Sequence, residues 1–146
     1  MNMKNILIRT LISAVILLLT GLAAHLFYTS DLYSGSITDS QPWESVLEFI
    51  TAVLIFAVIK FFVYDLIASA IPDERTTKFA QVIFYVGYSS ALLIDMFMIF
   101  LSFKPTSLNL AFMGVIFYSP VILIIAIIVL SVALTISRFK SSKLIQ

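Results

Sequence analysis

The sequence predicts an all-α integral membrane protein, with four transmembrane helices packed as an up-down antiparallel bundle and both termini on the cytoplasmic side. Three observations carry that prediction. Of the 146 residues, 61% are hydrophobic and 12% charged, with a mean hydropathy of +1.09, against roughly 45–50% apolar and ~25% charged in a soluble domain. The apolar residues gather into four runs, each longer than the ~18 residues that mark a membrane span rather than a buried core helix. Lys and Arg fall overwhelmingly at one end of those runs.

The first run covers about Ile6 to Tyr28, with Lys4 and Arg9 as the flanking charges at its start. Its basic start and the segment Gly21-Leu22-Ala23-Ala24 imitate a cleaved signal peptide, but the apolar stretch is longer than such a core, so a retained anchor is expected. The second run, about Ser45 to Ile71, opens at Pro42-Trp43-Glu44. Ser40 there can cap the helix, and Pro is at home in the first turn. Pro72 and Pro105 close the second run and the third, about Phe79 to Phe103. The fourth, about Leu108 to Ser137, runs into the basic tail Arg138, Lys140, Lys143. None alternates in polarity as a barrel strand would. Connections of about 16, 7 and 4 residues make neighbouring helices antiparallel and leave one domain, residues 1–146, with no room for a soluble module.

Orientation follows from the basic residues. Lys4, Arg9, Arg75, Lys78, Arg138, Lys140 and Lys143 share one side, while the other has Lys104 alone. The positive-inside rule therefore places both termini inside, most readily in a bacterial cytoplasmic membrane. The outer side is acidic, with Asp31, Asp39, Glu44 and Glu48, and carries Trp43 where an aromatic belt belongs.

Catalysis finds little to work with. The chain has no Cys, one His and four Gly, so thiolate metal sites, bis-histidine haem and phosphate-cradling glycine loops are all excluded. No HExxH motif and no Ser, His and Asp set at one depth occurs. A carboxylate pair of Asp31 or Asp39 with Glu44 or Glu48 is conceivable, but acids bordering a membrane are ordinarily just solvated. No enzyme activity, cofactor or metal is expected. A net charge of +1 points to no nucleic-acid partner, and with so apolar a composition none is expected.

A few intramembrane residues are expensive enough to need a reason. Asp95 lies about 6 Å to the outer side of the middle of the third run, and its short side chain cannot snorkel to water. It is an ion or proton site, a contact with a partner, or a neutral carboxyl hydrogen-bonded between helices. Lys60 lies ~4 Å to the inner side of the middle of the second run. It can snorkel inward, reach Asp65, or cross the bundle to Asp95 at a depth offset of about 10 Å. Asp65 itself, near the inner interface, asks for little explanation. Tyr88, Asp95 and Ser102 repeat every seven residues and form one stripe that should face protein.

Pro120 interrupts the fourth run and should kink it, with the all-apolar segment Val121 to Leu130 turned to lipid. His25, beside Phe27 and Tyr28, reads as an interfacial residue rather than a ligand. The long outer connection, with Tyr33, Trp43, Glu44 and Glu48, exceeds what joining two helices requires and is the candidate partner-facing surface.

The expected function is that of a non-enzymatic subunit or accessory protein of a membrane complex, in the class of immunity proteins and assembly factors. Its partners are the lipid bilayer and another membrane protein or a second copy of itself. The alternative is a small oligomeric ion channel or an ion- or proton-coupled carrier that uses Lys60 and Asp95. Thirteen Phe and six Tyr against four Gly leave few small-residue faces for tight homomeric packing, which favours the first reading.

Overall fold

The computed structural model describes residues 3–29, 43–70, 78–103 and 108–142. Every regular element among them is helical: α1 (Met3–Thr29), α2 (Trp43–Ser69), α3 (Lys78–Ser102), α4 (Leu108–Met113), a π-helical turn (Gly114–Tyr118) and α5 (Ser119–Ser142). Four stretches, Met3–Tyr28, Leu47–Ala68, Lys78–Ser102 and Leu110–Ile136, are long and apolar enough to cross a membrane, as in a multi-pass integral membrane protein. Helix is what such segments must form, because hydrocarbon offers no partner for an open backbone N–H or C=O. At the end of α2 the Ala70 N–H is shared between the carbonyls of Leu66 and Ile67, which tightens the last turn. The helix-start residues Ser40 and Pro42 and the helix-stop residues Pro72 and Pro105 lie outside the described residues.

The fourth span is one continuous helical path with a defect. Ser119 N–H bonds to Gly114 O, five residues back. Pro120 has no N–H, and its ring crowds the carbonyl four residues before it. The interruption that Pro120 predicts therefore takes the form of a π turn placed just ahead of it, a known way for a helix to take up one extra residue.

α3 is the central element, packing against α1, α2 and α5, with its most extensive seam along α5. That seam closes tightly because Gly87 lies directly against Ala126, and a side chain at 87 would occupy the same space. The core combines such small residues, Ala24, Ala57, Ala91 and Ala111, with large ones, Leu17, Phe49, Phe61 and Ile99. The outward surface is mainly apolar, with Leu11, Leu18 and Leu22 on α1, Val82 and Leu93 on α3, and Ile124, Ile128 and Val132 on α5.

One expectation is corrected here. Val121 to Leu130 does not simply face lipid, since Leu123, Ala126 and Leu130 are buried against the bundle. In a stretch with no polar residue, composition cannot mark the inward stripe that the 3.6-residue period imposes.

Candidate functional site

Most of the buried charged and hydroxyl groups among the described residues collect into two layers, both anchored on α2. Lys60 and Tyr64, four residues apart, share a face of that helix, and Asp65 follows one position on. α3 presents Tyr88 and Asp95 seven residues apart, and both are buried together with Ser102. The predicted stripe thus faces protein along its whole length.

In the deeper layer Lys60 Nζ lies 2.5 Å from Asp95 Oδ2 and donates to Ser119 Oγ at 2.6 Å. Ser119 in turn donates to Ala91 O at 3.3 Å. The Lys60 ammonium also stands 5.2 Å from the ring centre of Phe61 and 5.6 Å from that of Phe56, within cation–π range. Asp95 and Ser119 are completely buried and Lys60 is 8% exposed. Of the three destinations open to Lys60 from sequence, the structure selects the cross-helix one. The apolar stem of Lys60 runs along the interior to cover the depth offset.

In the second layer Arg9 grips Asp65 from two points, Nε to Oδ2 and Nη2 to Oδ1, each 2.8 Å. The guanidinium lies 5.4 Å from the ring centre of Phe84. Asp65 is completely buried, which corrects the expectation that its charge needs little explanation: although near the end of α2, it points into the bundle and is held by a bidentate partner. Beside this pair, Ser13 Oγ and Tyr88 Oη stand 2.7 Å apart, and both reach the Arg9 carbonyl, at 3.1 and 3.2 Å. Tyr64 donates to Phe84 O at 3.1 Å.

The Phe61 ring touches both layers, the Lys60 ammonium on one side and Tyr88 on the other. Phe61 contacts Tyr88 at 4.6 Å between ring centres, and Tyr64 stacks on Phe84 at 5.2 Å. Ser102, although on the same stripe, donates to Ile99 O in its own helix at 2.7 Å and joins neither layer. His25 packs 6.3 Å from the Phe103 ring, near Tyr28 and Phe100. Among the described residues no cluster of three or more His, Asp or Glu could hold a metal. Of the outer surface, Glu48 is exposed on α2; Tyr33 and the side chains of Trp43 and Glu44 lie outside the described residues.

Sequence reasoning missed Arg9 and Ser119. Arg9 was counted as a flanking charge, yet it stands inside the apolar run, five residues beyond Lys4, and that depth was the available signal. Ser119 owes its position to the π turn, which rotates the helix face just ahead of Pro120 and has no counterpart in the hydropathy pattern. The arrangement binds helices to one another: Arg9–Asp65 joins α1 to α2, Ser13–Tyr88 joins α1 to α3, and Lys60 joins α2 to both α3 and α5. No protein-family model, curated protein or solved structure matches this chain.

Proposed function

We propose that this chain is a non-enzymatic, multi-pass protein of a bacterial cytoplasmic membrane that works as a subunit or accessory protein of a membrane complex, in the class that includes immunity proteins and assembly factors. The observation that carries this reading is the internal cross-tying: all four spans are joined by buried polar contacts whose charges are paired inside. A carrier must separate such seams in every cycle, at the cost of stranding a buried charge. A subunit that offers fixed lateral and outer faces to a partner keeps them closed.

An up-down bundle fits the pairings. Arg9, early in α1, meets Asp65, late in α2, while Gly21, further along α1, lies against Ile50 near the start of α2. Tyr64 meets Phe84 and Lys60 meets Asp95, so α2 and α3 run in opposite senses. Gly87 against Ala126 and Gly114 against Met98 give the same relation between α3 and the fourth span. The seven-to-one distribution of Lys and Arg supports the inward termini.

The second reading, an oligomeric ion channel or proton-coupled carrier, is favoured by the depth of the Lys60–Asp95 pair alone. Purification of the intact chain in a mild detergent, with identification of what accompanies it, separates the two. A stoichiometric protein partner, lost when Tyr33 and Trp43 are replaced by Ala while membrane insertion persists, is the expected result. A symmetric homo-oligomer that conducts, and whose conduction disappears in Asp95→Asn, would overturn it.

A further inference from the structure

The outward face of α3 carries a groove of about 500 Å³ lined by Lys78, Gln81, Val82, Tyr85, Val86 and Ser89. These positions follow the i, i+3, i+4, i+7, i+8, i+11 pattern, so they form one strip along the helix about 16 Å long. Polarity falls along that strip. Lys78 and Gln81 stand at the helix start, and Tyr85 presents a ring with a hydroxyl one to two turns further in. Val82 and Val86, both more than half exposed, supply the apolar floor. Ser89 contributes no free donor at the deep end, because its hydroxyl is given to the Tyr85 carbonyl. Among the described residues Lys78 enters no ion pair. A second cation stands close by: the Arg9 guanidinium lies 5.4 Å from the ring centre of Phe84, the chain neighbour of Tyr85, and is about one-third exposed at its side chain.

We infer that this groove seats a phospholipid with an anionic headgroup, its phosphate at Lys78 and Gln81, its ester region at Tyr85 and an acyl chain along Val82 and Val86. The inference rests on the membrane reading above and, for the leaflet, on its orientation, which puts the start of α3 at the inner surface. Two features select a lipid over a soluble anion. The cationic end continues directly into an apolar trough, which a free phosphate has no use for, and the tyrosine stands where an amphipathic ring belongs at a membrane boundary. Charge complementarity selects an anionic headgroup over a zwitterionic one, since a basic residue at the inner boundary attracts acidic lipids.

The test uses the full chain in a neutral detergent, with bound lipid counted by native mass spectrometry during titration with phosphatidylglycerol or phosphatidylcholine of equal chain length. Phosphatidylglycerol is expected to be retained about fivefold more strongly, the worth of one cation at an acidic surface. That preference should disappear in Lys78→Gln and persist in Lys4→Gln. Val86→Trp, which fills the trough and leaves the cation in place, should abolish retention of the acidic lipid, and inorganic phosphate should not compete. Equal retention of the two lipids, a preference surviving Lys78→Gln or Val86→Trp, or displacement by inorganic phosphate would each overturn the inference. Carbonate extraction of the same variants keeps the two readings apart, since a chain that stays in the membrane fraction without the lipid preference fails only the lipid site.

Discussion

Arg9 and Asp65, 56 residues apart in the chain, meet through two parallel hydrogen bonds of 2.8 Å, so that both oxygens of a completely buried carboxylate are held by one guanidinium. The fork geometry is specific to Arg, because a Lys ammonium offers only a point charge. Removing the base deprives the acid of its cation: breaking a buried pair costs about 3–5 kcal/mol, and Arg9→Gln belongs at the low end of that range because the Arg9 side chain is itself about one-third exposed. Arg9→Lys should recover part of the loss. Denaturant unfolding of the detergent-solubilised protein measures both, and equal stability of Arg9→Gln and the native chain would show that the pair does not hold α1 to α2.

The Lys60–Asp95 pair allows a cleaner separation of structure from transport. Lys60→Met leaves a carboxylate buried without its cation and should cost about 3–5 kcal/mol. Asp95→Asn retains an acceptor for Lys60 and should be milder, on the order of 1 kcal/mol. The double variant should be more stable than Lys60→Met alone, since removing both partners costs less than removing one. Proton and cation flux through reconstituted liposomes should be at background for all four proteins. Additive single-variant effects would show that the two residues do not act as a pair; flux that stops in Asp95→Asn would make them a transport site.

Hydropathy and turn residues locate the spans because each depends on composition along the chain. Depth along a helix is legible in the same way, which is why Asp95 and Lys60 stand out as costly. Direction around the helix is not. Asp65 lies within a turn or two of the helix end and could have faced water, but it points inward to Arg9. The segment Val121 to Leu130 carries no polar residue to mark its buried stripe of Leu123, Ala126 and Leu130. Ser119 was hidden for a further reason, since the π turn of Gly114–Tyr118 alters the period that sequence reading assumes constant. The Tyr88, Asp95 and Ser102 stripe was readable because a seven-residue repeat nearly closes two turns, although only its first two members bond across helices.

Two glycines of the interior should respond differently to the same change. At Gly87 an added Cβ would collide with the Ala126 Cβ and come within 3.0 Å of Tyr64 Oη, so α3 and α5 must part. Gly87→Ala should cost about 1–3 kcal/mol, the range for overpacking a tight core, with partial recovery in combination with Ala126→Gly. At Gly114 the nearest atoms all belong to the Met98 side chain, which can swing aside. Gly114→Ala should therefore stay within about 1 kcal/mol of native, helped by the better helix propensity of Ala. Thermal denaturation of the native chain and these three variants in detergent compares the two sites directly, and equal losses for the two single changes would mean that the α3–α5 seam is not the tighter one.

Orientation is the premise on which the outer surface and the inner groove both depend, and the chain is well suited to testing it because it contains no Cys. Single cysteines at Ser36, in the long connection, and at Ser142, at the end of α5, report on opposite sides of the membrane if both termini are inside. In intact cells an impermeant maleimide should label position 36 alone, and permeabilised cells should be labelled at both. The seven Lys and Arg that lie on the side of the two termini should make the opposite insertion costly, because basic residues near the span ends resist translocation. Labelling at 142 but not at 36 would reverse the assignment. The internal pairs Arg9–Asp65 and Lys60–Asp95 would be unaffected, since they depend on helix packing and not on the direction of insertion. Tyr33 and Trp43 would then face the cytoplasm and Lys78 the outer leaflet, so a partner outside the cell and an inner-leaflet lipid would both lose their route to the protein.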